Sequence, residues 1–169
     1  GYAWRGWICG IRIFPEQKEG WAGMLTLPRE LHVVNGRLRM TPVRELLDLR
    51  ESPISTLSGE IAHDRILASP AANRFELVFS CSDPRALDGD IGIRFGWGDA
   101  TAVTFRREGS TGRLILDRGG ADGERICECA TKDHLDLRVF VDSSSIEVFA
   151  TTRGDLQQQN LSHGTDHGL

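Results

Sequence analysis

Short apolar runs, each ended by turn residues, constrain the fold of this chain more than any other feature. Many of these runs alternate apolar and polar residues, as between Phe75 and Phe79 and between Leu135 and Val139. This alternation is typical of half-buried strands, whereas the apolar residues of an amphipathic helix recur about every 3.6 residues. Only residues 42–50 favour a single helical turn or an irregular crossover, so the pattern predicts an all-β chain.

The apolar runs also predict where the strands lie. They fall at residues 21–27, 55–61, 73–81, 91–97, 100–106, 113–117, 135–141 and 145–150. Asn35 and Gly36 separate two further runs, 31–34 and 37–40, and Asn-Gly is the dipeptide that a two-residue hairpin turn favours. Many short strands joined by turns indicate an antiparallel two-sheet β-sandwich of the jelly-roll or concanavalin type.

The composition excludes several classes of partner. The chain has 169 residues, 40% of them hydrophobic and 26% charged, which is typical of a globular domain. Its net charge of -4 offers no basic surface to nucleic acid or to an anionic membrane. No apolar run approaches the roughly 20 residues that span a bilayer. We therefore expect neither a nucleic-acid partner nor a membrane partner.

The cysteines indicate free thiols rather than a structural site. Cys127 and Cys129 lie two residues apart on one face of a strand-like run, which is poor geometry for a mutual disulfide. The sequence contains no Cys-x-x-Cys pair and no cluster of histidines that would suggest zinc. We expect no metal, no cofactor and a reducing, cytoplasmic location.

Two long stretches carry a resemblance to a known family. Residues 20–31 read Gly-Trp-Ala-Gly-Met-Leu-Thr-Leu-Pro-Arg-Glu-Leu, and residues 139–149 read Val-Phe-Val-Asp-Ser-Ser-Ser-Ile-Glu-Val-Phe. In this order they resemble glycoside hydrolase family 32, the β-fructosidases, which include invertases and sucrose-6-phosphate hydrolases. The first stretch is similar to the passage from the last blade of that family's propeller into its C-terminal β-sandwich. The resemblance therefore implies the sandwich alone, without the catalytic propeller.

The same resemblance implies that this chain lacks the family's chemistry. It places the catalytic carboxylates in the propeller, within motifs resembling Asn-Asp-Pro-Asn-Gly, Arg-Asp-Pro and Glu-Cys. This chain contains neither Asn-Asp-Pro nor Arg-Asp-Pro. We interpret Asp83, which precedes Pro84, as the start of an Asx turn, and Glu128 as an outward side chain between two inward cysteines. No catalytic residue is predicted, and the chain alone is not expected to be an enzyme.

Three regions are predicted along the chain. Residues 1–19 are interpreted as a remnant of the last propeller blade with its linker, and residues 20–152 as the sandwich. Residues 153–169 are polar and rich in glutamine, which predicts a disordered tail. Because the family has a final strand at this place, the strand at 145–150 is expected to keep unpaired backbone groups.

The candidate functional residues form two groups. We call residues 20–31 the seam, and the side chains expected to pack between sandwich and propeller are Trp7, Trp21, Leu25, Leu27, Arg29 and Glu30. Arg29 and Glu30 are expected to make a charge pair there. Trp97 lies between two glycines and is a candidate platform for a sugar ring, with packing at a turn as the alternative.

Three functions are compatible with these observations. The favoured one is a non-catalytic module, a fragment or remnant of a β-fructosidase, that packs on the missing propeller and helps to form a homo-oligomer. The first alternative is a fructan-binding module that uses Trp97. The second is one part of a split β-fructosidase whose propeller is a separate chain.

Overall fold

The computed structural model describes residues 2–3, 25–61, 74–86, 89–95, 102–117, 123–130, 133–142, 145–152 and 155–164. Short 3-10 helices occupy Arg44–Leu49 and Pro84–Ala86. The strands are β1 (Tyr2–Ala3), β2 (Arg29–Val34), β3 (Arg37–Pro42), β4 (Phe75–Cys81), β5 (Ile91–Arg94), β6 (Ala102–Glu108), β7 (Thr111–Asp117), β8 (Glu124–Ala130), β9 (Leu135–Asp142), β10 (Ser145–Thr152) and β11 (Asp155–Gly164).

The strands form three antiparallel sheets. Sheet I has the order β11-β10-β9-β4, and sheet II has the order β5-β6-β7-β8. The third, the hairpin sheet, has the order β1-β2-β3. Its central turn is the predicted Asn-Gly turn, since Asn35 has a φ of 51° and Gly36 a φ of 73°. These left-handed backbone angles are the ones that a two-residue hairpin turn requires, so the hairpin prediction is confirmed.

The hydrophobic core lies between sheets I and II. In β9 the buried residues alternate with half-buried ones. Because alternate residues of a strand point to the same face, Leu135, Leu137, Val139 and Val141 share one face. In sheet II, buried side chains of β6 and β7 pack against these residues, and both sets form one continuous hydrophobic cluster. Two antiparallel sheets with a shared apolar core make a β-sandwich, so the predicted fold class is confirmed.

Several strand predictions are confirmed. The one at 55–61 is wrong, and the one at 21–27 is wrong at residues 25–27, while its residues 21–24 lie outside the described part of the chain. The predicted strands at 73–81, 91–97, 100–106, 113–117, 135–141 and 145–150 correspond to β4, β5, β6, β7, β9 and β10. Residues 55–61 form no strand, and neither do residues 25–27 at the end of the predicted strand 21–27. An apolar run becomes a strand only where a neighbouring strand pairs with its backbone, and these residues enter no ladder.

The prediction of a disordered tail is wrong for residues 155–164. These residues form β11, which pairs antiparallel with β10 from Ser145 opposite Gly164 to Ala150 opposite Gln159. The open edge of β10 offers unpaired N–H and C=O groups, and a polar segment can satisfy them as well as an apolar one. β10 therefore has a partner on each side, so the expectation that it keeps unpaired backbone groups is also wrong.

Candidate functional site

The strand β10 is buried on both of its faces. Ile146, Val148 and Ala150 face the core, while Glu147 and Phe149 on the opposite face are also buried. A sheet covered on one side only would expose that second face to water. Part of the cover of that face comes from residues 25–50, which we call the covering segment. Within it, the backbone N–H of Leu27 donates a hydrogen bond to Glu147 Oε1 at 2.7 Å.

A buried ion pair fixes the start of the covering segment to sheet I. Arg29 Nη2 donates to Glu147 Oε2 at 2.5 Å, and the two side chains are only 8% and 2% exposed. The Arg29 guanidinium also lies 5.6 Å from the centre of the Phe149 ring. Arg29 belongs to the seam and Glu147 to residues 139–149. The structure thus joins the two stretches on which the family resemblance depends.

The charge pair of Arg29 differs from the predicted one. Its carboxylate partner is Glu147 of β10 rather than its neighbour Glu30. Successive side chains of a strand point to opposite faces, so Arg29 and Glu30 diverge although they are adjacent in sequence. Glu30 Oε2 lies instead 3.3 Å from Nε2 of His32, two residues further along the same face.

A second attachment holds the covering segment at Arg50, directly after its 3-10 helix. Arg50 Nε donates to Glu76 Oε2 at 2.5 Å, and Arg50 Nη2 donates to Glu76 Oε1 at 2.7 Å. Arg138 Nε donates to the same Oε1 at 2.7 Å, and its guanidinium lies 4.9 Å from the centre of the Phe140 ring. One carboxylate of β4 therefore connects the covering segment with β9. Planar guanidinium groups suit this shared arrangement because they donate in a fixed geometry.

The environment of Glu76 changes its acidity. Burial disfavours the charged carboxylate, but the hydrogen bonds and the positive charges of Arg50 and Arg138 outweigh that effect. Together they hold the pKa of Glu76 below its ordinary value of 4.5. A carboxyl group whose pKa is lower in the folded state stabilises the fold at pH values above its unfolded pKa. That contribution is lost as the pH falls through the folded pKa.

This acidity predicts a pH-dependent effect of the Glu76→Gln substitution. We expect the variant to lose about 1 to 2 kcal/mol of unfolding free energy at pH 7, because Arg50 and Arg138 lose a charged acceptor. The difference from the parent chain should shrink as the pH falls below 4.5, since glutamine does not titrate. Urea unfolding at a series of pH values measures both quantities. A deficit that stays constant from pH 7 to pH 3 would contradict this role.

The seam residues are divided between two environments. Leu27 is half-buried and touches Glu147 through its backbone, and Arg29 is buried, whereas Leu25 is 71% exposed. Trp7, Trp21 and Trp97 lie outside the described residues, so the predictions made for them stay predictions.

Sequence reasoning overlooked the carboxylates Glu76 and Glu147. For Glu147 a signal was present, because it stands inside the apolar run from Ile146 to Phe149. A carboxylate enclosed by apolar strand residues is rarely fully buried unless it is paired.

The two carboxylates that resembled catalytic motifs have structural explanations. The backbone N–H of Arg85 donates to Asp83 Oδ1 at 3.2 Å, which is the predicted Asx turn. Glu128 is exposed between half-buried Cys127 and buried Cys129, as predicted.

Burial raises the pKa of the Cys127 thiol and raises that of Cys129 to about 11. Neither cysteine has the lowered pKa of a nucleophilic thiol.

Among the described residues, the arrangement under the covering segment connects distant parts of the chain. Its two carboxylates are both held by arginines. Across the described ranges, no group of three or more histidine, cysteine or acidic side chains could hold a metal ion. In the same ranges, no helix has the length and apolar character needed to cross a membrane.

Comparisons with known proteins agree with the resemblance. The family model described as "Glycosyl hydrolases family 32 C terminal" matches residues 45–153. The chain is 36% identical over 156 residues to a sucrose-6-phosphate hydrolase of Zymomonas mobilis subsp. mobilis, covering 87% of this chain and 29% of that protein. It is 38% identical over 144 residues to a raffinose invertase of Escherichia coli, covering 80% of this chain and 28% of that protein.

A solved structure shows the same fold. The sucrose-6-phosphate hydrolase from Lactobacillus gasseri matches with a TM-score of 0.73 and 20% sequence identity, over 97% of this chain and 34% of that one. The chain thus spans about three tenths of the length of the curated relatives described above. With a family model that matches most of its residues and a sandwich that matches a solved relative, the chain belongs to glycosyl hydrolase family 32, as its C-terminal domain.

Proposed function

We propose that this chain is a non-catalytic structural module of a family 32 β-fructosidase. In the whole enzyme it packs on the catalytic propeller and contributes to a homo-oligomer. The observation that carries the proposal is the buried pair of Arg29 and Glu147. These residues come from the two stretches on which the family resemblance depends, and they bind each other. A carboxylate enclosed in this way stabilises a contact between segments and is not available to react with a substrate.

The relatives indicate the reaction of the whole enzyme. Their names, sucrose-6-phosphate hydrolase and raffinose invertase, suggest hydrolysis of β-fructosides such as sucrose or sucrose 6-phosphate. That reaction needs a pair of carboxylates placed on either side of the glycosidic bond. We propose that this pair lies in the part of the enzyme that this chain does not span. The free thiols of Cys81, Cys127 and Cys129 support a reducing, cytoplasmic compartment.

Incubation with substrate tests the non-catalytic role. We expect the purified chain to release no fructose above background from sucrose or from sucrose 6-phosphate, because the side chain of Asp83 accepts the hydrogen bond of an Asx turn and Glu128 is an exposed side chain on a strand of the sandwich. The Escherichia coli raffinose invertase, assayed in parallel on sucrose, shows that the assay detects turnover. Fructose release by the chain that Asp83→Asn or Glu128→Gln abolishes would disprove the proposal.

A further inference from the structure

The turn between β2 and β3 carries a chemically reactive dipeptide. Asn35 is followed by Gly36, and both residues are exposed. The backbone nitrogen of the residue after an asparagine can attack the side-chain amide carbon and close a succinimide ring. Glycine hinders this attack least, because it has no side chain. Arg74 and Leu161 follow the other two asparagines of the chain, so Asn35 is the one that the sequence predisposes to this reaction.

The backbone of the folded turn holds the reacting atoms apart. Asn35 has a φ of 51°, which lies in the left-handed region, where ψ is about +47°. At that ψ the nitrogen of Gly36 lies nearly opposite Cβ of Asn35 about the bond from Cα to the carbonyl carbon. The succinimide ring closes only when this nitrogen and Cβ lie on the same side of that bond. The folded turn therefore protects a dipeptide whose sequence favours the reaction.

The hairpin ladder keeps the turn in this protective backbone. Val34 pairs with Arg37 directly beside the turn, and Val33 pairs with Leu38 next to them. A Cβ atom added to Gly36 would meet nothing within 4 Å, and the side chains of Val33 and Leu38 are exposed. Within the described part of the chain, the tip depends on its ladder rather than on packing. It should therefore open at a lower cost in free energy than the core of the sandwich.

We propose that Asn35 is a site of spontaneous deamidation that requires the hairpin to open. In the open turn, the Gly36 nitrogen attacks Cγ of Asn35 and the bond from Cγ to Nδ2 breaks. The side-chain nitrogen leaves as ammonia with the proton of the Gly36 N–H, and a succinimide remains. Water then adds to a ring carbonyl and returns a proton to the ring nitrogen. Cleavage at Cγ gives aspartate at position 35, and cleavage at the main-chain carbonyl gives isoaspartate.

The two products have different consequences for the hairpin. Aspartate keeps the original main chain, and Asp-Gly suits a two-residue turn as Asn-Gly does. Isoaspartate carries the main chain through Cβ and Cγ, which inserts one extra carbon atom between β2 and β3. A two-residue turn then no longer fits the register that places Val34 opposite Arg37. Conversion to isoaspartate is therefore a lasting record that the hairpin has opened.

Peptide mapping tests both the site and the need for opening. The whole chain is incubated at mildly alkaline pH, folded in buffer or unfolded in guanidinium chloride, and is then digested with trypsin. Cleavage after Arg29 and Arg37 releases residues 30–37, whose deamidated forms are quantified by mass spectrometry. We expect Asn35 to convert in denaturant, and to convert more slowly in the folded chain by a factor of about ten or more. Equal rates would overturn the need for opening, and an intact Asn35 in denaturant would overturn the site.

Two sets of variants distinguish opening of the hairpin from opening elsewhere. Val33→Ser combined with Leu38→Ser removes the apolar pair near the turn. It should speed conversion in buffer about threefold and leave the rate in denaturant unchanged. Val78→Ser also replaces an exposed apolar strand residue, but on β4, and should change neither rate. If the hairpin variant left the rate in buffer unchanged, or Val78→Ser raised it equally, the proposed route through the open hairpin would be wrong.

Hydrogen exchange tests the predicted effect of isoaspartate on the turn. Asn35→Asp supplies the aspartate form directly and should retain the protection of β2 and β3. A sample modified in denaturant and then refolded supplies the isoaspartate form, which an isoaspartate-specific methyltransferase identifies by labelling it with a methyl group. We expect the amides of residues 30–42 to exchange faster in the isoaspartate form than in Asn35→Asp. Equal exchange in the two forms would overturn the predicted loss of the turn.

Discussion

Replacing Arg29 by methionine is expected to lower the free energy of unfolding by about 3 to 5 kcal/mol. The substitution leaves the Glu147 carboxylate, which is 2% exposed, without the guanidinium that compensates its charge. The N–H of Leu27 would still donate to Glu147, but one neutral donor replaces little of the lost interaction. Urea unfolding followed by tryptophan fluorescence measures the loss.

An exposed ion pair provides the matched control for this prediction. Arg113 and Glu108 lie 3.2 Å apart with side chains that are 43% and 38% exposed. Arg113→Met should cost less than about 1 kcal/mol, because water screens and replaces an exposed pair. The double variant Arg29→Met with Glu147→Leu should recover much of the loss, since it removes both charges. Similar costs for Arg29→Met and Arg113→Met would contradict the role assigned to the buried pair.

Replacing Phe105 by alanine is expected to cost about 3 to 5 kcal/mol. Phe105 is fully buried in β6 and stands opposite Leu114 of β7, on the face that meets sheet I. The substitution removes a large apolar side chain and leaves a cavity between the two sheets of the sandwich. Chemical denaturation should show a lower midpoint concentration of denaturant. The slope of the unfolding free energy against denaturant concentration should be unchanged, because the surface exposed on unfolding stays the same.

Ile126 supplies the comparison for the core substitution. It is also an apolar strand residue of sheet II, but it lies on the outer face and is exposed. Ile126→Ala should change the unfolding free energy by less than about 0.5 kcal/mol. If Ile126→Ala destabilised the chain as much as Phe105→Ala, the core would not lie between sheets I and II.

The parts of the fold that the sequence predicted correctly depend on local patterns. The turn at Asn35 and Gly36 requires left-handed backbone angles that these residues adopt readily. The alternation in β9 fixes which side chains face the core without reference to the rest of the chain. Strand and hairpin assignments of this kind need only a few neighbouring residues, and the sandwich follows from their number and spacing.

The parts that the sequence did not predict depend on distant partners. Arg29 and Glu147 are 118 residues apart in sequence, so nothing local pairs them. Residues 155–164 become a strand because β10 offers an open edge, and their polar composition alone favours a tail. Residues 55–61 have the composition of a strand but find no strand to pair with. Tertiary context decided each of these cases.

We propose that this chain supports a β-fructosidase without contributing to its chemistry. A chimera tests it most directly: in the Zymomonas mobilis hydrolase, the region matched by this chain is replaced by this chain. Sucrose 6-phosphate hydrolysis and the thermal unfolding midpoint are compared with those of the enzyme truncated at the same point. We predict that the chimera regains activity and cooperative unfolding that the truncated enzyme lacks, and that Asp83→Asn and Glu128→Gln change neither. A truncated enzyme as stable and active as the chimera would contradict the claim.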